Sequence, residues 1–236
     1  MIYRKEVGER SPLRVFERSI HGGLGRGNLG LVLSRPGGGK TGFLVSVAID
    51  DALRGRKVLH VSTRDSAEKA REFYEQVFHD LLEAEGSSDH FAKLHMLERH
   101  RRIHSFLGGT FRQEKLETAL EYMTRYTDFA PSIIIMDGFP EWERAEEEDL
   151  HAIKAMAVRY DAEVWLSGAL HREGQFQDGR GVPLEMARFD ESLSVIVRLD
   201  PQSDHVRLRL VKDHENPEVA ALNLELDPST FLVRWQ

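Results

Sequence analysis

The chain has 236 residues, of which 41% are hydrophobic and 30% are charged, and its formal net charge is −7. It is long enough to bury a sizeable core, and its lack of cysteine excludes disulfides, thiolate zinc sites and redox thiols. No apolar stretch approaches the ~20 residues of a membrane span, and the N-terminus lacks an apolar signal core, so we expect no membrane partner and a cytoplasmic location. The acidic charge argues against a surface that coats nucleic acid widely, although a local basic groove for DNA stays open.

The first part of the chain is polar, and we expect residues 1–20 to be an N-terminal arm, loose or with one short helix at 12–20. Residues 21–28 are rich in glycine and lead into an apolar run that predicts the first strand. No internal repeat or low-complexity linker follows. We therefore expect residues 21–236 to form one domain.

The stretch from Leu29 to Phe43, LGLVLSRPGGGKTGF, predicts a strand, a glycine-rich turn and a helix. It matches the phosphate-binding pattern G-x-x-x-x-G-K-[ST], except that a serine stands in the place of the first glycine. The residues predicted to surround a bound nucleotide are Ser34, Arg35, Pro36, Gly37, Gly38, Gly39, Lys40, Thr41 and Gly42.

Glycines allow successive backbone N–H groups to point at phosphate oxygens, at the positive end of a helix dipole. Lys40 is predicted to reach the β- and γ-phosphates, and the Thr41 hydroxyl to hold Mg²⁺. The sequence therefore predicts ATP and Mg²⁺ as cofactors, with Lys40 in a catalytic role as well.

The pattern predicts helices at 40–54 and 66–85 on either side of a buried strand at 57–63. Ser66 or Asp65 is suited to cap the second of these helices. Residues 90–109 show no clear period beyond a possible strand at 103–107, and 112–126 returns to a helical period.

The run from Ser132 to Gly138, SIIIMDG, is typical of a fully buried parallel strand that ends in a carboxylate. Asp137 is predicted to order Mg²⁺ beside the glycine-rich turn, the Walker B role. Later patterns predict a helix at 146–161, a strand at 162–168 and a mobile loop at 174–183. Antiparallel strands are predicted at the C-terminal end, at 193–199, 205–212, 222–226 and 231–235.

These elements predict an α/β three-layer fold with a mostly parallel sheet. The segments GGLGRGNLGLVLSRPGGGKT, VSTRDSAE, SIIIMDG, VWLSGALHRE and VRLRLVKDHENP together resemble, in order, the RecA-like core of DnaB-type helicases and KaiC-like ATPases. The resemblance implies the RecA-like P-loop fold, a twisted, mostly parallel sheet flanked by helices. It also implies a homo-oligomer, a hexameric ring in the family, with ATP between neighbouring subunits.

The resemblance further assigns roles to single positions. Where the family has a water-activating glutamate, this chain has Arg64, with Asp65 one position later, so Asp65 is the candidate catalytic carboxylate or alternatively a helix cap. Where the family has a Lys-x-Arg finger that reaches the neighbour's ATP, this chain has Lys212 and His214. Where helicase relatives have a polar sensor, after the strand at 162–168, this chain offers His171 or Arg172, to contact the γ-phosphate or to begin a central loop. His171 is alternatively a solvated loop histidine.

Two functions follow from these assignments. The first is an oligomeric ATPase with slow or partner-stimulated hydrolysis, coupled to movement on DNA or to protein remodelling. The second is a regulatory or assembly module that binds ATP and hydrolyses little, because the hydrolytic positions depart from the family. A phosphotransferase acting on a small substrate is a third, weaker alternative.

Overall fold

The computed structural model describes residues 12–86, 88–170 and 176–235. They form an α/β fold on one nine-stranded sheet with the order β3-β2-β4-β5-β1-β6-β7-β8-β9. The strands are β1 (Leu29–Ser34), β2 (Val58–Ser62), β3 (Arg101–Ser105), β4 (Ile133–Asp137), β5 (Glu163–Ala169), β6 (Leu193–Pro201), β7 (Val206–Asp213), β8 (Leu224–Leu226) and β9 (Val233–Trp235).

The described residues contain seven α-helices. They are α1 (Pro12–Ser19), α2 (Lys40–Leu53), α3 (Ala67–Glu85), α4 (His90–His100), α5 (Gln113–Tyr126), α6 (Glu147–Arg159) and α7 (Leu184–Ala187), and a short 3₁₀ helix follows at Asp190–Ser192. Among these described segments, no helix combines the length and the apolar character that crossing a membrane requires.

The sheet has two parts with different strand directions. The first six strands in its order, β3 to β6, are parallel, whereas β7, β8 and β9 each run antiparallel to the preceding strand. β4 is buried along its whole length, as a parallel strand covered on both faces should be, and β7 alternates between buried and exposed positions near its start. The predicted mostly parallel α/β fold with antiparallel C-terminal strands is confirmed.

Successive side chains of a strand point to opposite faces of the sheet. Because the side chains on both faces are apolar here, helices cover both faces. Val32 of β1 belongs to the core on one face, which α1 to α4 cover. Leu31 and Leu33 of the same strand belong to the core on the other face, which α5, α6 and α7 cover. β1, which leads into the glycine-rich turn, is therefore held between two packed layers.

The N-terminal helix α1 packs into the core on the same face of the sheet as Val32. Phe16 is buried, and its ring lies 5.5 Å from that of Phe43 and 6.1 Å from that of Trp165 between centroids. The predicted short helix at 12–20 is confirmed by α1, while residues 1–11 of the predicted arm lie outside the described residues.

Residues 90–105 differ from the sequence prediction. Helix α4 was not predicted, and β3 begins two residues before the possible strand at 103–107.

The described part of the loop predicted to be mobile, residues 176–183, is a hydrogen-bonded turn. The backbone N–H groups of Arg180 and Val182 each donate to Asp178 Oδ1 at 2.9 Å. Burial alone would raise the pKa of Asp178, but these hydrogen bonds and the Arg180 guanidinium outweigh it and lower that pKa. The sequence did not predict this internal bonding, because it depends on one carboxylate that serves two N–H groups.

Candidate functional site

The candidate site lies at the edge of the sheet where the parallel strands end, here called the carboxyl edge. β1, β2, β4 and β5 end there at Ser34, Ser62, Asp137 and Ala169. Crevices outside the carboxyl ends of parallel strands are the usual ligand sites of such sheets. The glycine turn (residues 35–39) joins β1 to α2 at this edge.

Ser34, the last residue of β1, faces the glycine turn. It is fully buried, and its hydroxyl donates to the Gly38 carbonyl oxygen at 3.1 Å. A Cβ at Gly38 would lie 1.9 Å from Ser34 Oγ. The departure from the usual glycine is therefore accommodated, because the serine hydroxyl fills the space that Gly38 leaves.

The C-terminal hairpin of β8 and β9 packs against the start of α2. Gly39, with a φ of 88°, would place a Cβ 2.7 Å from Leu226, and Gly42 would place one 2.4 Å from the Phe231 ring. A residue larger than glycine is excluded at both positions, because the side chains of the hairpin lie too close to the backbone at the start of α2. The apolar hairpin thus fixes the orientation of the N-terminus of α2, where four backbone N–H groups lack partners within the helix.

Lys40 is the first residue of α2, and its ammonium group lies over the turn. Nζ donates to the Ser34 carbonyl at 3.1 Å and to the Arg35 carbonyl at 3.2 Å. Partial burial lowers the pKa of Lys40, with a further lowering from Arg64, while the charge of Asp137 opposes both. Lys40 and Asp137 therefore interact electrostatically across the site.

Thr41 and Asp137, which are 96 positions apart in the chain, are in contact. Thr41 Oγ1 donates to Asp137 Oδ2 at 2.7 Å. The other carboxylate oxygen, Asp137 Oδ1, accepts from Ser167 Oγ at 2.9 Å. The side chains of α2, β4 and β5 therefore form one chain of hydrogen bonds at the carboxyl edge.

Two further bonds hold this chain in place. Ser167 Oγ accepts from the Gly138 N–H at 2.9 Å, and the Ser167 carbonyl accepts from Trp142 Nε1 at 2.8 Å. Sequence reasoning did not select Ser167, and its two candidates in this stretch, His171 and Arg172, lie outside the described residues and stay a prediction. The signal that could have identified Ser167 is a hydroxyl in an apolar strand, next to a strand that ends in a carboxylate.

The donor set suits a magnesium ion. Mg²⁺ prefers oxygen ligands and binds through one or two protein oxygens together with phosphates and waters. Thr41 Oγ1 and Asp137 Oδ2 are neighbouring oxygens beside the glycine turn, so these two groups fit the ion.

The predicted water activator, Asp65, follows β2 and already has a cationic partner. Its carboxylate pairs with the Lys69 ammonium group one helical turn later. The helix cap is Ser66, whose hydroxyl accepts from the Lys69 N–H at 3.2 Å, so the alternative role of Asp65 as the cap is wrong. Arg64 is exposed beside Gly138, where a Cβ would lie 2.8 Å from Arg64 Cγ.

Lys212 and His214 lie at the opposite edge of the sheet from the glycine turn, because β7 runs antiparallel to β6. Lys212 Nζ is 2.9 Å from Asp190 Oδ2 and donates to the Asp190 carbonyl at 2.6 Å. His214 pairs with buried Asp213 at 3.0 Å and contacts the Leu24 carbonyl at 3.0 Å. Within one chain, neither side chain belongs to the candidate site, and their predicted action on a neighbouring subunit stays a prediction.

No family model matches this chain, and no curated protein matches it.

Proposed function

We propose that this chain is a RecA-like P-loop protein that binds ATP and Mg²⁺ at the turn between β1 and α2. The observation that carries the proposal is the 2.7 Å contact between Thr41 and Asp137 beside Lys40. A hydroxyl at a helix N-terminus, a strand-end carboxylate and a lysine over a glycine turn are the groups that phosphoryl-transfer sites use for Mg²⁺ and phosphate. The carboxylate of β4 and the two groups at the start of α2 come from separate elements and meet only through the fold.

The phosphates of ATP would take the place next to the glycine turn, where the helix dipole and the ammonium group of Lys40 favour negative charge. The mostly parallel sheet with helices on both faces supports the RecA-like assignment that the sequence resemblance implies. The packing of the C-terminal hairpin against Gly39 and Gly42 supports a preformed turn.

Hydrolysis in this proposal is slow or depends on a partner. Activation of water needs a free carboxylate near the γ-phosphate. Here Arg64 takes the position of the glutamate, and Asp65 is paired with Lys69. A slow ATPase coupled to DNA movement or protein remodelling fits these residues. The Asp65–Lys69 pair equally favours the second candidate, a regulatory or assembly module that binds ATP and hydrolyses little.

Calorimetric titration of ATP with Mg²⁺ tests the binding site. We expect Lys40→Ala and Asp137→Asn each to weaken binding at least about tenfold, because each removes a charge-assisted contact to phosphate or Mg²⁺. The matched control is Lys115→Ala, which removes an exposed lysine of α5 and should bind as the unmodified protein does. Equal affinity in all four proteins would contradict the proposal.

Phosphate release by the same proteins separates the two candidates. Turnover above background that disappears in Lys40→Ala would exclude the module that does not hydrolyse. Tight ATP binding without turnover, at high protein concentration and with DNA present, would exclude the ATPase.

A further inference from the structure

A second cleft lies at the carboxyl edge, on the other side of β1 from Asp137. Its volume is about 620 Å³, and it lies between the ends of β5 and β6, the start of β7 and the turn at Asp178. Five arginines of the described residues line it, namely Arg35, Arg180, Arg198, Arg207 and Arg209. Arg35 also belongs to the glycine turn, so the two sites are adjacent.

The strand register brings three of these arginines to one face of the sheet. Arg198 of β6 is directly opposite Arg209 of β7, and Asp200 is opposite Arg207. The residues between them, such as Leu199 and Leu208, belong to the core on the other face. The period of two along both strands therefore gathers the guanidinium groups, although about ten positions separate Arg198 from Arg207 and Arg209 in the sequence.

Two aspartates, Asp178 and Asp200, also line the cleft and hold some of the arginines in place. Arg198 Nε donates to Asp200 Oδ1 at 2.5 Å, and Arg209 Nε lies 3.5 Å from Asp200 Oδ2. Arg180 pairs with Asp178 at 2.8 Å. The lining residues still carry three more positive than negative charges, in a chain whose net charge is −7.

Two arginines of the cleft are exposed and have no partner among the described residues. These are Arg35 and Arg207, on the glycine turn and on β7. Planar guanidinium groups bind phosphate oxygens in pairs of parallel hydrogen bonds. The cleft therefore presents both oriented and unpaired donors to an anion.

We propose that this cleft binds a small molecule carrying two or more phosphate groups, independently of nucleotide binding at the glycine turn. A volume of about 620 Å³ is the size of a small-molecule site and exceeds what one phosphate ion needs. Guanidinium groups at several positions in the cleft suit a ligand that carries its negative charge on several phosphate groups.

A nucleic acid strand fits the cleft less well. In the part of the chain that the structure describes, no aromatic side chain lines the cleft, whereas single-strand sites stack bases on aromatic rings. The two aspartates would also oppose a continuous phosphate backbone that runs through the whole cleft.

The test uses the full chain with Lys40→Ala, which weakens the other phosphate site, and inorganic tripolyphosphate as the probe in magnesium-free buffer. We expect calorimetry to show binding, and Arg207→Ala added to this protein to weaken it about tenfold, because an exposed charged donor is lost. Arg207→Lys should retain part of the affinity, since it keeps the charge but not the paired geometry. The matched control is Arg144→Ala, which removes an arginine with 83% exposure far from the cleft in sequence.

Absence of tripolyphosphate binding at millimolar concentration would overturn the proposal, and so would an affinity that Arg207→Ala leaves unchanged. A single-stranded oligonucleotide is titrated in parallel. If it binds through Arg207 while tripolyphosphate does not, the cleft is a nucleic acid surface and the proposal is wrong. Arg207 lies on β7 and outside the glycine turn, so an effect of Arg207→Ala distinguishes binding in the cleft from residual binding at the proposed ATP site.

Discussion

At the scale of single residues, the candidate site depends on a hydroxyl that holds a carboxylate. Asp137 has two oxygens with different partners, Thr41 on one side and Ser167 on the other. Ser167 in turn accepts from the Gly138 N–H, which fixes the turn that follows β4. Groups that orient a metal ligand from behind commonly contribute to metal affinity as well.

Ser167→Ala should therefore weaken Mg²⁺-dependent ATP binding. The substitution frees one Asp137 oxygen and leaves the buried Gly138 N–H without a partner, and we expect a loss of about 1 kcal/mol, or roughly fivefold in affinity. Titration of ATP at several Mg²⁺ concentrations measures it.

The control for Ser167→Ala is Ser203→Ala, which removes an exposed hydroxyl between β6 and β7. ATP affinity measured without Mg²⁺ should differ little between Ser167→Ala and the unmodified protein. An equal loss with and without Mg²⁺ would show that Ser167 supports the turn and not the metal ligand.

At the scale of elements, a buried charge cluster joins α1, the end of α2 and β5. Asp51 of α2 is 2% exposed and accepts from Arg54 at 3.1 Å and Arg56 at 3.0 Å. Burial raises the pKa of Asp51 to about 7, with Glu17 and Glu163 adding to the rise and with Arg56 and Arg14 opposing it. The carboxyl group is thus protonated more readily in the folded chain than in the unfolded one.

The sign of the resulting pH dependence follows from that difference. A raised acid pKa contributes stability that is complete below the unfolded value of 3.8 and is lost as the pH rises towards about 7. We expect the free energy of unfolding, relative to that of Asp51→Asn, to fall by about 2 to 4 kcal/mol between pH 4 and pH 7. Urea unfolding at a series of pH values measures this fall.

The matched control for this series is Asp128→Asn, which changes a fully exposed carboxylate of the same type. Its unfolding profile should remain parallel to that of the unmodified chain over the same pH range. Parallel profiles for Asp51→Asn as well would contradict the assignment of the pH dependence to Asp51.

The elements that were predictable from the sequence are those with a strong burial pattern. β4 and β1 are buried along their whole lengths, and continuous apolar runs identified both. In contrast, α4 buries only Leu97, and β3 is an edge strand whose residues are mostly half-buried. Such elements show only a weak hydrophobic period, so α4 was not predicted and the predicted position of β3 was two residues too late.

At the scale of the whole molecule, the two predicted finger residues and the proposed ATP site lie at opposite edges of one sheet. Lys212 and His214 would therefore have to reach the glycine turn of another copy, so their predicted role requires the homo-oligomer that the resemblance implies. In the single chain Lys212 is held by Asp190, so assembly through this residue would exchange that partner for phosphate.

Gel filtration with and without ATP and Mg²⁺ tests the assembly. We expect a larger species when both are present, and Lys40→Ala should not form it, because the shared nucleotide would be missing. Lys115→Ala serves again as the control and should assemble. A monomer in every condition would contradict shared ATP sites and the roles proposed for Lys212 and His214.

The sequence by itself determined the α/β class, the main buried strands, and the candidate residues Lys40, Thr41 and Asp137. These follow from local patterns, namely apolar runs, glycine spacing and a strand-end carboxylate. Only the tertiary structure decided which groups meet. The contact of Asp137 with Ser167, the pairing of Asp65 with Lys69 and the gathering of arginines beside the glycine turn required it. The physical reason is that strand order and register set these distances, and residues remote in sequence define both.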